Sequence, residues 1–479
     1  MPNMGASVDS LARLLRSGSK KGQDLRDRLG VSPPTLSRLM ERCQRERPGF
    51  LCKIGAARAT RYAWAKAVDG DPSRPWRISV YRVDGQGTLL PFGALTVLEA
   101  DEYIFTPGPG AQSMAGRLPK GWVRTHYEGI PWFLQDLRYQ GYLGRALAQP
   151  LFALRDSALD AEELSEHVHE WSDHQVLRLL SRVGEDLPGN FLIGVSSAVL
   201  FGRQKAETQV VAIPERPAVY AQRVHDLVTG QWIPHSSVGG EQPKFTACVA
   251  DASGSVRQVI VKFSPPAQDK SPVARRWCDL LRAEFHALSV LSRFGVPTAA
   301  TDIVQGTDGR WFLESTRFDR IGLYGRTPVF SMRFILMEVL GDLPGWATAA
   351  KKLHELGLID PDTEERIRLL DAYGHFIGNT DRHSGNLSFM PGPSAGSRTF
   401  VVAPVYDMLP MQYAPAAQGS VVPGFKDISA YVEEDALISL AKDLARLFWG
   451  DVARDPHISQ DFREMATAHM EALAPDASE

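Results

Sequence analysis

Asp381 and Asn386 stand five residues apart in the run Gly378-Asn379-Thr380-Asp381-Arg382-His383-Ser384-Gly385-Asn386. That pairing suits phosphoryl transfer, which needs a carboxylate to orient and deprotonate the attacking hydroxyl and an amide oxygen to help hold a metal ion. A second acid for the metal is offered by Asp407, which follows the apolar, strand-like run from Phe400 to Tyr406. Oxygen donors of this kind suit Mg²⁺ better than Zn²⁺. Upstream, Val259-Ile260-Val261-Lys262-Phe263 reads as an apolar strand carrying one lysine. A lysine so placed neutralises α/β-phosphates when an acid steadies it, and Glu284 on the following helical stretch is the candidate. Gly239-Gly240, inside Ser236-Ser237-Val238-Gly239-Gly240-Glu241-Gln242-Pro243-Lys244, would let backbone N–H groups approach phosphate oxygens.

Each feature alone has a plainer reading. Paired glycines are commonly a turn, Lys262 could snorkel at a sheet edge, and Asp-Arg-His could be a surface turn with an ion pair. Their order along the chain is the stronger signal: glycine loop, lysine strand, Asp/Asn loop, second acid. The elements that must position them are also legible. Ile367, Leu370, Tyr373 and Ile377 share one face of a helix predicted over 364–377, so the Asp381 loop follows a well-anchored element. A helix is predicted over 280–292 for Glu284, and strands alternate up to Phe318.

The 479 residues predict two to four domains. A composition of 44% hydrophobic and 23% charged residues is that of a globular protein. Cys43, Cys52, Cys248 and Cys278 form no CxxC pair, which argues for reduced thiols rather than disulfides or a zinc site. Asp9, Arg13 and Arg16 interrupt any signal-peptide core, and the longest apolar stretch, near 191–202, is too short to span a bilayer. The expectation is a cytoplasmic protein with no membrane partner.

Charge is distributed unevenly. Residues 1–66 hold 14 Lys/Arg against 5 Asp/Glu, a net +9, so a chain of net −3 carries −12 in the remainder. A basic head on an acidic body suggests a polyanion-binding module. Val8, Leu11, Leu14 and Leu15 predict a first helix, and residues 20–29 a second stopped by Gly30. Ser32-Pro33-Pro34 opens a third, with Ser32 as N-cap and proline in the first turn. The segment from Gln23 to Ser32 resembles the helix-turn-helix family. Residues 50–54 and 61–64 then flank a wing. Thr35, Arg38 and Arg42 on the third helix, with Arg58 and Arg61 in the wing, are the candidate DNA contacts. Residues 69–75 read as a linker by composition.

Four motifs, in order, resemble the HipA family: Ser237 to Lys244, Arg317-Phe318-Asp319-Arg320, Asp381 to Asn386, and Tyr406-Asp407. These are serine/threonine kinases of bacterial toxin–antitoxin systems, with a fold related to eukaryotic-type kinases. Leu137-Arg138, the run Gly141 to Arg145, and Val183-Gly184-Glu185-Asp186 extend the resemblance over about residues 76–450. It implies an α+β, two-lobed, protein-kinase-like fold behind a small winged helix-turn-helix. The expected domains are 1–67 for the head, 75–225 for a HipA-like N-terminal subdomain, 226–470 for the catalytic domain, and a frayed tail at 471–479.

The resemblance also implies a toxin-like protein kinase using ATP and Mg²⁺. Asp381 becomes the catalytic base, Asn386 and Asp407 the metal ligands, Lys262 the phosphate-neutralising lysine, and Val238, Gly239, Gly240, Glu241 and Gln242 the phosphate loop. Ser237, with Ser236 beside it, takes the place of an autophosphorylated serine, whose added charge beside the ATP phosphates would shut the enzyme off. The implied substrate is a protein Ser or Thr hydroxyl, of the translation-factor or aminoacyl-tRNA synthetase kind. DNA would be a further partner, with two copies of the chain on it.

Three departures stand out. Arg382 follows the aspartate where the family commonly has Gly. Thr316 replaces a Glu that often precedes Arg-Phe-Asp-Arg, leaving nearby Glu314 as the adenine-side candidate. HipA proteins also usually lack a DNA-binding head. Two other readings remain open: a transcriptional regulator with a nucleotide-sensing pseudokinase, and a small-molecule phosphotransferase.

Overall fold

The computed structural model describes residues 6–68, 71–115, 117–119, 121–139, 141–142, 168–231, 242–341, 345–392, 396, 398–416, 419–421, 424–431 and 435–474. The expected phosphate loop from Val238 to Glu241, with Ser236 and Ser237, lies outside the described residues. No helix among the described residues is long and apolar enough to cross a membrane.

The basic head has helices Val8–Leu15, Gly22–Leu29 and Pro33–Glu46, and a three-stranded antiparallel sheet. Ser7 and Ser32 cap the first and third helices by accepting from the Ser10 and Thr35 amides. Gly30, at φ 67°, ends the second. Leu11, Leu15, Leu25, Leu29, Leu36, Leu39 and Cys43 turn inward as one core. Two expectations are corrected. Lys20–Lys21 is not helical but pairs as an edge strand with Arg61 and Tyr62, and the second helix starts at Gly22. The predicted linker contains the strand Asp71–Pro75, which pairs with Ala67–Val68; its prolines are tolerated because the two-stranded ribbon leaves an edge.

That ribbon leads directly into a five-stranded sheet whose strands run Phe191–Ile193, Arg77–Val83, Leu89–Val97, Glu102–Pro107, His126–Glu128 in spatial order. The head is built onto this sheet. Leu98 is fully buried in the head's core, the Lys66 and Glu99 amides bond the Val97 and Trp64 carbonyls at 2.9 Å each, and the Ser19 amide donates to Glu102 Oε1 at 2.7 Å. A chain beginning at residue 76 would expose Leu98, whose burial alone contributes about 1.5–3 kcal/mol. It is expected to melt below the full-length protein; equal melting temperatures would show that the head contributes nothing to the body's stability.

A second five-stranded sheet, ordered Val210–Ala212, Lys244–Ala250, Val256–Phe263, Trp311–Thr316, Thr301–Gln305, is antiparallel except for its first pair. Helix Arg216–Val228 covers one face, where Tyr220 and Val224 meet Phe245, Val261 and Phe312. The expected boundary at 225/226 therefore falls inside a helix that belongs to this lobe. Helix Pro272–Arg293, capped by Ser271, buries Leu280, Ala283, Ala287 and Leu291 in a larger core. That core joins the first sheet to helices Trp346–Glu355, Pro361–Phe376, Ala436–Arg454 and Gln460–Ala472. The architecture is α+β, with two five-stranded sheets and a helical region.

Candidate active site

Antiparallel pairing sets Lys244 opposite Lys262, so both side chains leave the same face of the second sheet. Both are buried, at 2% and 3% exposure. Like charges facing each other across a ladder destabilise it, so anions must be near. Lys262 Nζ donates to both Glu284 oxygens, at 2.6 and 2.7 Å, and also bonds Asp407 Oδ1. Burial pulls the Lys262 ammonium down, but Asp407 and Glu284 outweigh it and its pKa is raised. At Asp407, burial pushes the carboxyl up; Lys262 and Lys244 overcome it and hold the group below its ordinary value. At Glu284 burial wins over Lys262, and the carboxyl is raised. Two acids share one lysine, and the better-ionised partner is Asp407.

Asp407 sits in the left-handed region, at φ 52°, where a short polar side chain is better tolerated than most. Its neighbour Tyr406 holds the turn: the hydroxyl meets Ser388 Oγ at 2.8 Å and the ring lies 5.7 Å from Phe318. The Asp381 loop is fixed through its backbone. Gly378, at φ 74°, packs so closely on Gln412 that a Cβ would lie 2.5 Å from Gln412 Nε2. Buried Asn379 accepts from the Asp381 amide at 3.0 Å. Asn386 Nδ2 donates to the Asp381 carbonyl at 2.9 Å and to Asp381 Oδ2 at 3.0 Å. Asp381 itself is half exposed, with His383 Nε2 3.6 Å from its Oδ1. An exposed carboxylate on a braced backbone is accessible to an incoming hydroxyl.

The donor set suits Mg²⁺. Asn386 commits its amide nitrogen to Asp381, which turns no bond onto its carbonyl oxygen, and Asp407 commits Oδ1 to Lys262. Asn386 Oδ1 and Asp407 Oδ2 are left as hard oxygen donors among the described residues. No cluster of three or more His, Cys, Asp or Glu able to hold a metal occurs among those residues.

The sequence-predicted residues are not all brought here. Lys262 meets Asp407, Asn386 meets Asp381, and the two pairs are linked where the Tyr406 hydroxyl donates to the Gly385 carbonyl at 3.3 Å; Gln242 stands half-buried before the strand that carries Lys244. Glu314 is elsewhere. It pairs across the ladder with Val261, not Lys262, and so points to the opposite face. There its fully buried carboxylate accepts from Arg216 (2.8 Å), Tyr220 (2.7 Å) and Arg257 (2.9 Å), away from the face that carries Lys262. In the head, Thr35, Arg38, Arg42 and Arg58 are exposed. Thr35 shares its hydroxyl with Ser32 (2.9 Å) and Arg42 pairs with Glu46 (2.6 Å). Arg61 is spent on structure: its guanidinium donates to Ser19 Oγ at 2.9 Å and to the Ser19 carbonyl at 2.6 Å, tying the wing strand to the residue just before the edge strand Lys20–Lys21. Lys244 joins the site beyond the residues expected from the sequence. Its signal was present, since a hairpin register that aligns two lysines is visible once the strand ends are known.

Comparison with known proteins identifies the lineage. Residues 236–472 match the HipA-like C-terminal domain, and residues 74–201 match the middle domain of YjjJ-like toxins. Toxin YjjJ of Escherichia coli (strain K12) is 33% identical over 466 residues, covering 96% of each chain. The chain belongs to the HipA family of toxins. Among solved structures, Shewanella oneidensis HipA, determined with HipB and operator DNA, covers 83% of this chain and 95% of its own at 16% identity and TM-score 0.48. The Helicobacter pylori proinflammatory kinase CtkA covers 49% and 88% at 11% identity and TM-score 0.35. Within this HipA-like frame the lysine, the Asp/Asn loop and the second acid hold the order expected of phosphoryl transfer.

Proposed function

We propose that this HipA-family toxin is an ATP-dependent protein serine/threonine kinase that inhibits growth in the cytoplasm. The observation that carries this reading is the meeting of Lys262 and Glu284 at Asp407, with the Asp381–Asn386 loop tied to the same turn through the Tyr406 hydroxyl, which donates to the Gly385 carbonyl at 3.3 Å. Asp381 takes the proton of a substrate Ser or Thr hydroxyl as that oxygen bonds to the γ-phosphorus and ADP leaves. Lys262 neutralises the α/β-phosphates, with Val238, Gly239, Gly240, Glu241 and Gln242 as their cradle. Mg²⁺, held by Asn386 and Asp407, would offset phosphate charge. Ser237 or Ser236 is the autophosphorylation site. Retention of the whole set favours an active kinase over a nucleotide-sensing regulator.

The head is proposed as a winged helix-turn-helix that binds DNA through Thr35, Arg38, Arg42 and Arg58, supported by its net +9 charge and the exposure of that set.

Labelled γ-phosphate is expected on Ser236 or Ser237 of the wild type and not on Asp381→Ala, whose half-exposed site leaves the fold intact. Induction of the wild type should arrest growth, and Asp381→Ala should not. No label on the wild type, combined with salt-sensitive binding of duplex DNA, would move the assignment to the DNA-binding regulator.

A further inference from the structure

Arg382 stands where the HipA family commonly has glycine, and its side chain is not left in solvent. Its Nε donates to Asp371 Oδ1 at 2.9 Å, and its Nη1 bonds the Asn379 carbonyl. Asp371 belongs to helix Pro361–Phe376, one turn before Gly374. Its other oxygen accepts from the Ala347 amide at 3.2 Å, at the start of helix Trp346–Glu355. The Arg382 stem lies against Gly374 so tightly that a Cβ there would fall 2.5 Å from Arg382 Cδ. Gly374 is helical, without a positive φ, and a glycine inside a helix costs about 1 kcal/mol relative to alanine. The arginine stem accounts for it.

We propose that Arg382 is a positioning residue for Asp381, seated in a slot that Gly374 and Asp371 build. The inference rests on the reading of Asp381 as the base. The guanidinium spans the loop: it grips the carbonyl two residues before Asp381 and anchors the residue after it to the helix behind. With the Asn379 and Asn386 bonds to the Asp381 peptide, this fixes where the carboxylate emerges. Loss of such an anchor shifts the base by a fraction of an ångström to an ångström, which can reduce turnover about 100-fold without touching nucleotide binding. A lysine would keep the charge but lose the fork that reaches Asp371 and the carbonyl together.

The test compares wild type, Arg382→Ala, Arg382→Lys, Gly374→Ala and the double variant Gly374→Ala/Arg382→Ala. The expected result is a fall in kcat of about 10- to 100-fold for each single variant with KM for ATP within about twofold. In the double variant Gly374→Ala should add nothing to Arg382→Ala, because the clash it creates has been removed. A normal kcat in Arg382→Ala, full rescue by lysine, or additive losses would overturn the proposal. Hydrogen exchange of the Asn379 to Asn386 amides gives an arm independent of turnover. It should accelerate in Arg382→Ala, and unchanged protection would overturn the positioning role. Absence of transfer in the wild type would instead sink the kinase reading, and the exchange arm would still decide whether Arg382 holds the loop.

Discussion

Lys262→Met is expected to destabilise the protein by about 3–5 kcal/mol at pH 7 and to end phosphoryl transfer. The variant removes a group bonded to both Glu284 and Asp407 and leaves two carboxylates buried near each other, with Lys244 as a remaining cation. Breaking a buried pair costs more than the pair contributes, because an uncompensated charge stays behind. The pH dependence separates this mechanism from a mere packing defect. In the variant both carboxyls have folded pKa values moved above their unfolded ones. The penalty is then complete above the folded pKa and is relieved as pH falls through it. Urea melts at pH 7 and pH 5 should show the gap to wild type narrowing at the lower pH. A constant gap would mean that the charges are not its source. Adding Glu284→Gln should restore part of the stability and none of the transfer.

What the sequence could reveal follows from which interactions are local. The cap at Ser32 and the buried stripes of the first and third helices are written at short spacing, and those elements fall close to where they are expected, whereas the helix predicted over 280–292 begins at Pro272, behind a Ser271 cap. The Asp381 loop is equally local, since its two bonds to Asn386 depend on a five-residue spacing. Glu314 departs from expectation for the opposite reason. Strand alternation says that Glu314 and Leu313 face opposite ways, but only the register against Val261 and Lys262 says which faces the cleft. Arg61 illustrates the same limit. A wing arginine reads as free until its non-local partner, Ser19, is known.

Asp186→Asn is expected to weaken the molecule by a comparable amount, about 3–5 kcal/mol, and to act on the site from a distance. Asp186 accepts from Arg317 Nη1 and Arg320 Nη2 at 2.8 Å each, joining the stretch after helix Asp173–Leu180 to the strand end beyond Trp311–Thr316. Asp319 is held by the same two arginines, at 3.0 and 2.7 Å, and accepts from the Gly189 amide at 2.9 Å. Burial pushes the Asp186 carboxyl up, and Arg317, Arg320 and Arg326 together bring it below its ordinary value. Its contribution is therefore present above the unfolded carboxyl pKa and lost as pH falls through the lowered one; the variant lacks this acid-labile term. Without Asp186 the buried guanidinium groups lose a shared counter-ion, and Phe318, set between Arg317 and Asp319, loses its frame. Because the Phe318 ring rests 5.7 Å from Tyr406, one residue before Asp407, the disturbance has a short route to the turn that carries Asp407. Transfer by Asp186→Asn should fall further than its folded fraction explains, and Asp319→Asn in the same chain should add less than it does alone. Activity that simply tracks the folded fraction would make the cluster a clamp between the two sheets and nothing more.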